Sequence, residues 1–284
     1  MSTEKKRVAL ISVFAAIFLS GFKLVIGLLT GSLGILSEAL HSILDLFAAV
    51  ITYFSVRISD KPADTDHHFG HGKIENLSAF IETILLFITC IWIIYEAIKR
   101  LTSGETLIEV NIWSYIVVIS SIVINIWRTR ILRITAKKYN SQALEADALH
   151  FSSDIWSSAV VLLGLICANF GYYFADPIAA LLVAVIILFA TYQLGKKSIE
   201  VLLDTVPRST YNEVESAIKG IKEITNYHDL KIRTSGADTF VEVNIHVNPE
   251  LSIQQAHEIS HKVEEKILEI VDRCEIHVHT EPEE

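Results

Sequence analysis

The sequence is poor in cysteine, the residue of disulfide frameworks and of many structural zinc sites. It has only three cysteines, Cys90, Cys167 and Cys274, and these stand far apart. This argues against a disulfide framework and against a cysteine zinc knuckle. The apolar part of the chain contains no His-Glu-x-x-His segment, which argues against an intramembrane zinc protease; the one such segment, at 257–261, lies in the polar tail. Charged residues are also scarce, at 20%, whereas 51% are hydrophobic and the mean hydropathy is +0.42, as in an integral membrane protein.

Basic residues are rare in the last part of the chain. From Arg208 onward there are sixteen acidic and eight basic residues, a net charge of −8 out of the total of −9, which leaves −1 for the preceding 207 residues. An acidic tail does not suit nucleic acid, which needs a basic surface, but it suits cations. We therefore expect a transmembrane domain over residues 1–207 and a cytoplasmic domain over residues 208–284.

Six apolar segments are each long enough to cross about 30 Å of hydrocarbon at about 1.5 Å per residue. They lie at 8–30, 34–56, 76–98, 112–132, 144–171 and 177–200. The first is long and lacks a small-residue cleavage site, so no cleavable signal peptide is expected. Basic residues cluster before the first segment, between the second and third, between the fourth and fifth (Arg128 among them) and after the sixth. The positive-inside rule then places both termini in the cytoplasm of a multi-pass plasma-membrane protein.

Two of these segments carry a histidine and an aspartate four residues apart: His41 with Asp45, and His150 with Asp154. That spacing puts both side chains on one helical face. Ionisable groups are costly in a bilayer and usually face a partner or a watery cavity. Two facing pairs would supply two imidazoles and two carboxylates, a set suited to tetrahedral zinc. Asp147 either guides ions or orients the His150 imidazole, or is a solvated residue at the start of its helix.

A polar segment between the second and third apolar runs contains Asp64, His67 and His71 beside two glycines that allow tight turns. These three side chains predict a second cation site in the loop. The alternative is a solvated loop whose histidines only titrate.

The tail alternates between helix and strand periodicity. Its predicted elements are helices at 211–223 and 252–270 and strands at 227–233, 240–247 and 274–280. The order αββαβ indicates a small two-layer sandwich with both helices on one face of the sheet. Six of the eleven histidines lie in this tail, at His228, His246, His257, His261, His277 and His279. They favour a regulatory or dimer-bridging metal cluster over a merely solvated surface.

Together these features resemble the cation diffusion facilitator family, of the bacterial zinc/proton antiporter type. The motifs that carry the resemblance are Phe-Gly-His-Gly-Lys at 69–73, the paired intramembrane His-x-x-x-Asp segments, Asp-Pro at 176–177 and Leu-Leu-Asp-x-x-Pro at 202–207. The resemblance covers nearly the whole chain. It implies six transmembrane helices followed by a small α+β cytoplasmic domain of the metallochaperone (ferredoxin-like) type. It also implies a homodimer in the lipid bilayer that exports divalent cations in exchange for protons.

The resemblance assigns roles to particular residues. The transport site is His41, Asp45, His150 and Asp154, and the loop site is Asp64, His67 and His71. The cytoplasmic ligands are His228, His257, His279 and Glu281, with His246 placed to replace a frequent ligand histidine that is Asn244 here. Lys73 and Asp204 match a charge pair that ties the dimer together near the membrane surface. Some members have aspartate at the position of His41, and histidine there resembles the more zinc-selective members.

The ligand types favour zinc as the exported ion, with cadmium, cobalt and iron as further candidates, because manganese and magnesium prefer oxygen-rich octahedral sites. Imidazoles and carboxylates must lose protons to bind metal, so metal and protons compete. We expect a transporter and not an enzyme. The alternatives are a membrane-anchored metal sensor, which leaves the intramembrane ligands unexplained, and a membrane metalloenzyme, which would need a general base or an open water position.

Overall fold

The structure is a computed structural model that describes residues 2–31, 33–103, 112–169 and 175–283. Its contacts divide the chain into two compact units. The first unit comprises Met1–Lys61 and Ile74–Ser198, and the second comprises Pro62–Lys73 and Ile199–Glu284. The second unit thus includes a loop from the middle of the sequence as well as the tail. The predicted domain boundary after residue 207 stays a prediction.

Six long helices follow one another through the first unit. They are α1 (Ser2–Thr30), α2 (Leu33–Ser59), α3 (Lys73–Ser103), α4 (Ile112–Tyr139), α5 (Gln142–Asn169) and α6 (Ala175–Leu202). By length and composition, five of them are apolar enough to cross a membrane. The remaining helix, α5, has 28 residues and is about 42 Å long at 1.5 Å per residue, which is enough to cross a membrane. It carries Asp147, His150 and Asp154. The predicted six-helix architecture is confirmed.

Small residues let these helices approach closely. The main apolar cluster of the first unit contains alanines from α1, α2, α4 and α5, namely Ala9, Ala16, Ala49, Ala136, Ala143 and Ala148. Small side chains at helix contacts are typical of membrane proteins, where packing replaces the hydrophobic effect as the driving force. Phe151 and Leu144 of α5 fill the remaining space. The helix α5 thereby packs against α4 and α2, which positions its ionisable face.

The second unit contains two helices and a three-stranded sheet in the predicted αββαβ order. Its elements are α7 (Arg208–Lys219), β1 (Asn226–Ser235), β2 (Asp238–Val247), α8 (Ile253–Leu268) and β3 (Cys274–Pro282). The strand order is β1-β2-β3, with β1 antiparallel and β3 parallel to β2. Val241, Val243 and Ile245 alternate along one face of β2 and pack on Val263 and Ile267 of α8. The opposite face of the sheet carries the polar side chains.

The loop between α2 and α3 packs on this sheet. The Phe69 ring lies edge-on to Phe240, with ring centroids 5.2 Å apart, and the Arg233 guanidinium lies 3.6 Å from the centre of the Phe69 ring. At Gly72 an added Cβ would stand 2.2 Å from the carbonyl oxygen of Ser235, so only glycine allows this approach. Gly72, one of the two glycines expected to permit tight turns, therefore also permits close contact with β1.

The start of α8 is stabilised by a capping box. The Ser252 side chain accepts a hydrogen bond from the Gln255 backbone, and the Gln255 side chain accepts one from the Ser252 backbone. We expect Ser252→Ala to lower the free energy of unfolding of the second unit by about 1 kcal/mol and to speed hydrogen exchange in the first turn of α8. Ser252→Thr, which keeps the hydroxyl, is the control. Equal exchange in all three proteins would contradict this role.

Candidate metal sites

The intramembrane pairs of α2 and α5 meet in a crossed arrangement. His150 Nε2 lies 3.1 Å from Asp45 Oδ1, and His41 Nε2 lies 3.9 Å from Asp154 Oδ1 and 3.8 Å from Asp45 Oδ1. His41, Asp45 and Asp154 each offer one ligand atom, and these three atoms lie within 4.8 Å of one another. The four predicted side chains thus converge, although counting along the sequence places Asp45 and Asp154 at different depths.

Two atoms of this cluster have no partner among the described residues. They are His150 Nδ1 and Asp154 Oδ2, and both are buried. A buried polar atom without a partner costs free energy, so its persistence points to a missing ligand, ion or water. Two imidazoles and two carboxylates at this spacing form a donor set that fits a tetrahedral, borderline-soft divalent cation.

A buried charged network lies beside these ligands. The Arg128 Nε donates to Ser12 Oγ at 2.7 Å, and Ser12 Oγ donates to Asp147 Oδ2 at 2.8 Å. Arg128 also lies 3.2 Å from the centre of the Phe151 ring. Arg128 is 2% exposed and Asp147 is 0% exposed. Counting Arg128 among the cytoplasmic loop residues was therefore wrong, as was the solvated reading of Asp147, because both side chains lie between packed helices.

Sequence reasoning missed this network. A serine in the middle of α1 gives no signal by itself, and the arginine near the end of an apolar run is typical of a cytoplasmic flank. The sequence offered one signal, which is that adjacent spans carry an arginine and an aspartate. Burying two such charges between helices is favourable only when they compensate each other.

The predicted loop site also comes together. Asp64 Oδ1 lies 3.2 Å from His67 Nδ1, and Asp64 Oδ2 lies 3.4 Å from His71 Nε2. The carboxylate also accepts backbone N–H groups of His67 at 2.7 Å and Asp66 at 3.0 Å. These hydrogen bonds, the one from His67 first, lower the pKa of Asp64. The loop is thus held in a turn that presents one carboxylate and two imidazoles.

In the tail, the sheet register gathers the polar face into a cluster that we call the sheet-face cluster: His228, His246 and Glu281. His246 Nε2 lies 3.1 Å from His228 Nδ1 and 3.5 Å from a Glu281 oxygen. The register explains this, since His246 pairs with Glu281 across β2 and β3. His279 Nε2 lies 3.4 Å from Glu281, at the edge of the cluster.

Asn244 lies beside the sheet-face cluster, whereas His257 lies apart from it. Asn244 Nδ2 lies 3.1 Å from His228 Nε2, so the asparagine stays beside the cluster while His246 supplies the imidazole. His257 lies on α8, and its nearest imidazole is His261. The structure brings His228, His246 and Glu281 together within one chain but does not bring His257 to them.

The predicted charge pair forms within a single chain. Lys73 Nζ lies 2.8 Å from Asp204 Oδ1, and both side chains are partly exposed. Asp204 has a positive φ of 58°, a conformation that aspartate tolerates better than most residues. Lys73 begins α3 and Asp204 follows α6, so the pair joins the ends of these two helices.

Comparisons with known proteins identify the family of the chain. Residues 9–203 match the model of the cation efflux transmembrane domain, and residues 206–283 match that of the cation efflux protein cytoplasmic domain. An uncharacterized transporter of Methanocaldococcus jannaschii is 34% identical over 278 residues, covering 97% of this chain and 98% of that protein. The cation-efflux pump FieF of Shigella boydii serotype 18 is 29% identical, covering 89% of this chain and 84% of that protein.

Among solved structures, the metal-bound C-terminal domain of the CzcD transporter from Thermotoga maritima is 28% identical, covering 26% of this chain and 88% of that one, with a TM-score of 0.26. The family models together extend through both units of the chain. On this basis the chain belongs to the cation diffusion facilitator family and is a multi-pass membrane transporter for the efflux of metal cations.

Proposed function

We propose that this protein exports Zn²⁺ from the cytoplasm in exchange for protons, as a homodimer in the plasma membrane with both termini in the cytoplasm. The observation that carries the proposal is the crossed convergence of the two His-x-x-x-Asp pairs inside the helical unit, at 3.1 Å and 3.9 Å. Four ligands of these types in an apolar setting are costly to maintain without a cation to bind.

The choice of zinc rests on the donor set. Imidazole nitrogen and carboxylate oxygen in equal number suit a borderline cation without geometric preference, whereas manganese and magnesium favour more oxygen ligands. Cadmium, cobalt and iron(II) are weaker candidates for the same site. We expect competition assays to rank zinc above manganese by a wide margin, and the reverse order would contradict the assignment.

Proton exchange follows from the same ligands. Imidazole binds metal only when it is neutral, so each bound cation displaces protons from the site. A conformation open to the cytoplasm loads zinc, and protons arriving from the outside displace it in the outward-open conformation. Zinc and protons then favour opposite states of one two-state equilibrium, which is what exchange requires.

We assign supporting roles to the two other clusters. Asp64, His67 and His71 would capture cations at the loop, and the sheet-face cluster with His279 would bind a regulatory ion in the homodimer. The supports are the short ligand distances in each. The Lys73–Asp204 pair would hold the two subunits together near the membrane surface, the role that the family resemblance assigns to this pair.

The deciding experiment is zinc flux into proteoliposomes under an imposed pH gradient. We expect zinc uptake that requires the gradient, with protons moving the opposite way. Flux that is unchanged when the gradient is collapsed would contradict proton exchange. Absent flux, together with tight zinc binding by the protein, would favour a membrane-anchored sensor instead.

The loop site provides a pH prediction. Zinc binding there should weaken as the pH falls from about 8 to about 5, because protons compete with zinc for the imidazole nitrogens. The hydrogen bonds that lower the pKa of Asp64 stabilise the loop at every pH above 3.8, the ordinary pKa of aspartate. This stabilisation is lost only as the pH falls through the lowered pKa. Asp64 therefore stays ionised throughout the titration.

The measurement is zinc binding as a function of pH in the wild type and in Asp64→Asn and His67→Gln. Asp64→Asn should weaken binding at every pH without changing the slope between pH 5 and pH 8. His67→Gln should reduce the slope, since one competing proton is removed. A slope altered by Asp64→Asn would show that the carboxylate titrates in this range and would contradict the prediction.

A further inference from the structure

A buried lysine of α1 meets a carboxylate of α2 beside the transport site. Lys23 Nζ lies 2.9 Å from Glu38 Oε2, and the Lys23 side chain is only 7% exposed. Its neighbours in the sequence are apolar. An ionisable group in such a setting usually faces a partner or a watery cavity. Here the partner is Glu38, and neither residue belongs to the three metal clusters described above.

A hydrogen bond anchors α1 to α2 at the level of the transport ligands. Ser20, which precedes Lys23 by three residues, donates to the backbone carbonyl oxygen of Ser42 at 2.7 Å. Ser42 directly follows the ligand His41 in α2. The next turn of α1 then presents Lys23 to Glu38. The charge pair is therefore held close to the ligands and does not depend on a flexible segment.

Glu38 lies on the exposed side of the transport site. It precedes His41 by three residues, so the two side chains share one face of α2, about 4.5 Å apart along the helix axis. The side chains of Glu38 and His41 are 42% and 43% exposed, whereas those of the other three ligands are 14%, 11% and 7% exposed. The site therefore opens on the side of Glu38. In the topology proposed above α2 begins at the outer surface, which places Glu38 between the ligands and the outside.

The two charges of the pair act on the site in opposite directions. The Glu38 carboxylate interacts electrostatically with His41, and the Lys23 ammonium interacts with Asp154. A carboxylate at the opening attracts a departing divalent cation, and the ammonium competes with that cation for the carboxylate. Building on the proposed export function, we propose that Glu38 binds the divalent cation transiently as it leaves for the outer side and that Lys23 then displaces it. Glu38 is thereby paired with a cation both during and after release.

The test is the equilibrium binding of Zn²⁺ to the full-length protein in detergent, measured by isothermal titration calorimetry. The binding event that Asp154→Asn removes is taken as the transport site. Lys23→Met removes a positive charge and should tighten this binding, whereas Glu38→Gln removes a negative charge and should weaken it. Each change should exceed about tenfold, because a unit charge about 10 Å from a divalent ion has at least this effect at an effective dielectric constant of about 20. The double variant should bind within about threefold of the wild type, since the two changes cancel.

Zinc flux in proteoliposomes separates this role from a merely structural one. Lys23→Met should combine tighter zinc binding with a lower maximal rate of transport, because the cation is retained at Glu38. Loss of a structural ion pair would lower the amount of folded protein without tightening zinc binding. The matched control is the exposed pair of α5 and α6, in which Glu145 lies 2.7 Å from Lys197. Glu145→Gln and Lys197→Met should leave the zinc affinity within about twofold of the wild-type value, because solvent screens exposed charges.

Unchanged affinity in Lys23→Met would overturn the proposal, as would shifts in the same direction in the two single variants. If Glu38→Gln does not fold because Lys23 is left buried without its partner, Lys23→Met and the double variant still decide the question. A double variant that binds zinc as tightly as Lys23→Met would then contradict it. Zinc flux that ignores the pH gradient would contradict proton exchange without altering these affinities, so the two proposals can fail separately.

Discussion

Asp154→Asn is expected to reduce zinc flux by at least about 100-fold, or roughly 2.7 kcal/mol. The substitution keeps the shape of the side chain but removes a negative oxygen ligand 3.9 Å from His41 Nε2. Changes to groups that merely support a ligand already cost about 10- to 100-fold in metal affinity, so loss of a ligand should cost no less. Asp45→Asn should have a similar effect, because Asp45 contacts both histidines.

The matched control is Glu145→Gln on the same helix. Glu145 is exposed and lies 2.7 Å from Lys197. Exposed ion pairs contribute little, about 0–1 kcal/mol, so flux should stay close to the wild-type value. The measurement is initial zinc uptake into proteoliposomes, with equal protein insertion verified for each variant. Wild-type flux in Asp154→Asn and Asp45→Asn would remove the crossed pairs from the transport path.

Asp147→Ala is expected to destabilise the first unit by about 3–5 kcal/mol. The carboxylate accepts the hydrogen bond from Ser12, which in turn accepts one from Arg128. Without the carboxylate the guanidinium remains buried, and the charge that compensates it through Ser12 is gone. The measurement is thermal unfolding in detergent, where the variant should unfold well below the wild type.

A second substitution separates this charge effect from a simple packing defect. Replacing the guanidinium as well, in Arg128→Met with Asp147→Ala, should recover much of the lost stability, because no buried charge then lacks compensation. Glu145→Ala, which breaks an exposed pair on the same helix, is the control. If Asp147→Ala unfolds no earlier than Glu145→Ala, the Arg128–Ser12–Asp147 network does not stabilise the fold as described.

The architecture was predictable because the relevant signals are local. Long apolar runs, strand alternation over residues 240–247 and the capping serine at position 252 each define their own element. The structure agrees to within a few residues; for example, the predicted helix 211–223 is observed at 208–219. The pairing of β3 parallel to β2 is not local and could not be read from the pattern of either strand.

The candidate sites were predictable to the extent that their ligands share one element. The i, i+4 spacing placed His41 with Asp45 and His150 with Asp154, but the crossed contact between α2 and α5 depends on helix packing. In the tail, sequence order gave no reason to separate His257 from His228. Within one chain the sheet register places His246 beside Glu281, and α8, which carries His257, packs on the other face of the sheet.

The packing of Phe69 between Phe240 and Arg233 has a consequence for dissecting the protein. Cutting the chain after α6 keeps all six long helices. It also removes Phe240 and Arg233, which leaves the Phe69 ring in the loop between α2 and α3 without these contacts. The truncated protein would expose a new apolar surface, and the loop from Asp64 to His71 would be less well ordered. A loss of transport on truncation would therefore report damage to the loop as readily as loss of a regulatory domain, and Phe69→Ser in the full-length chain separates the two.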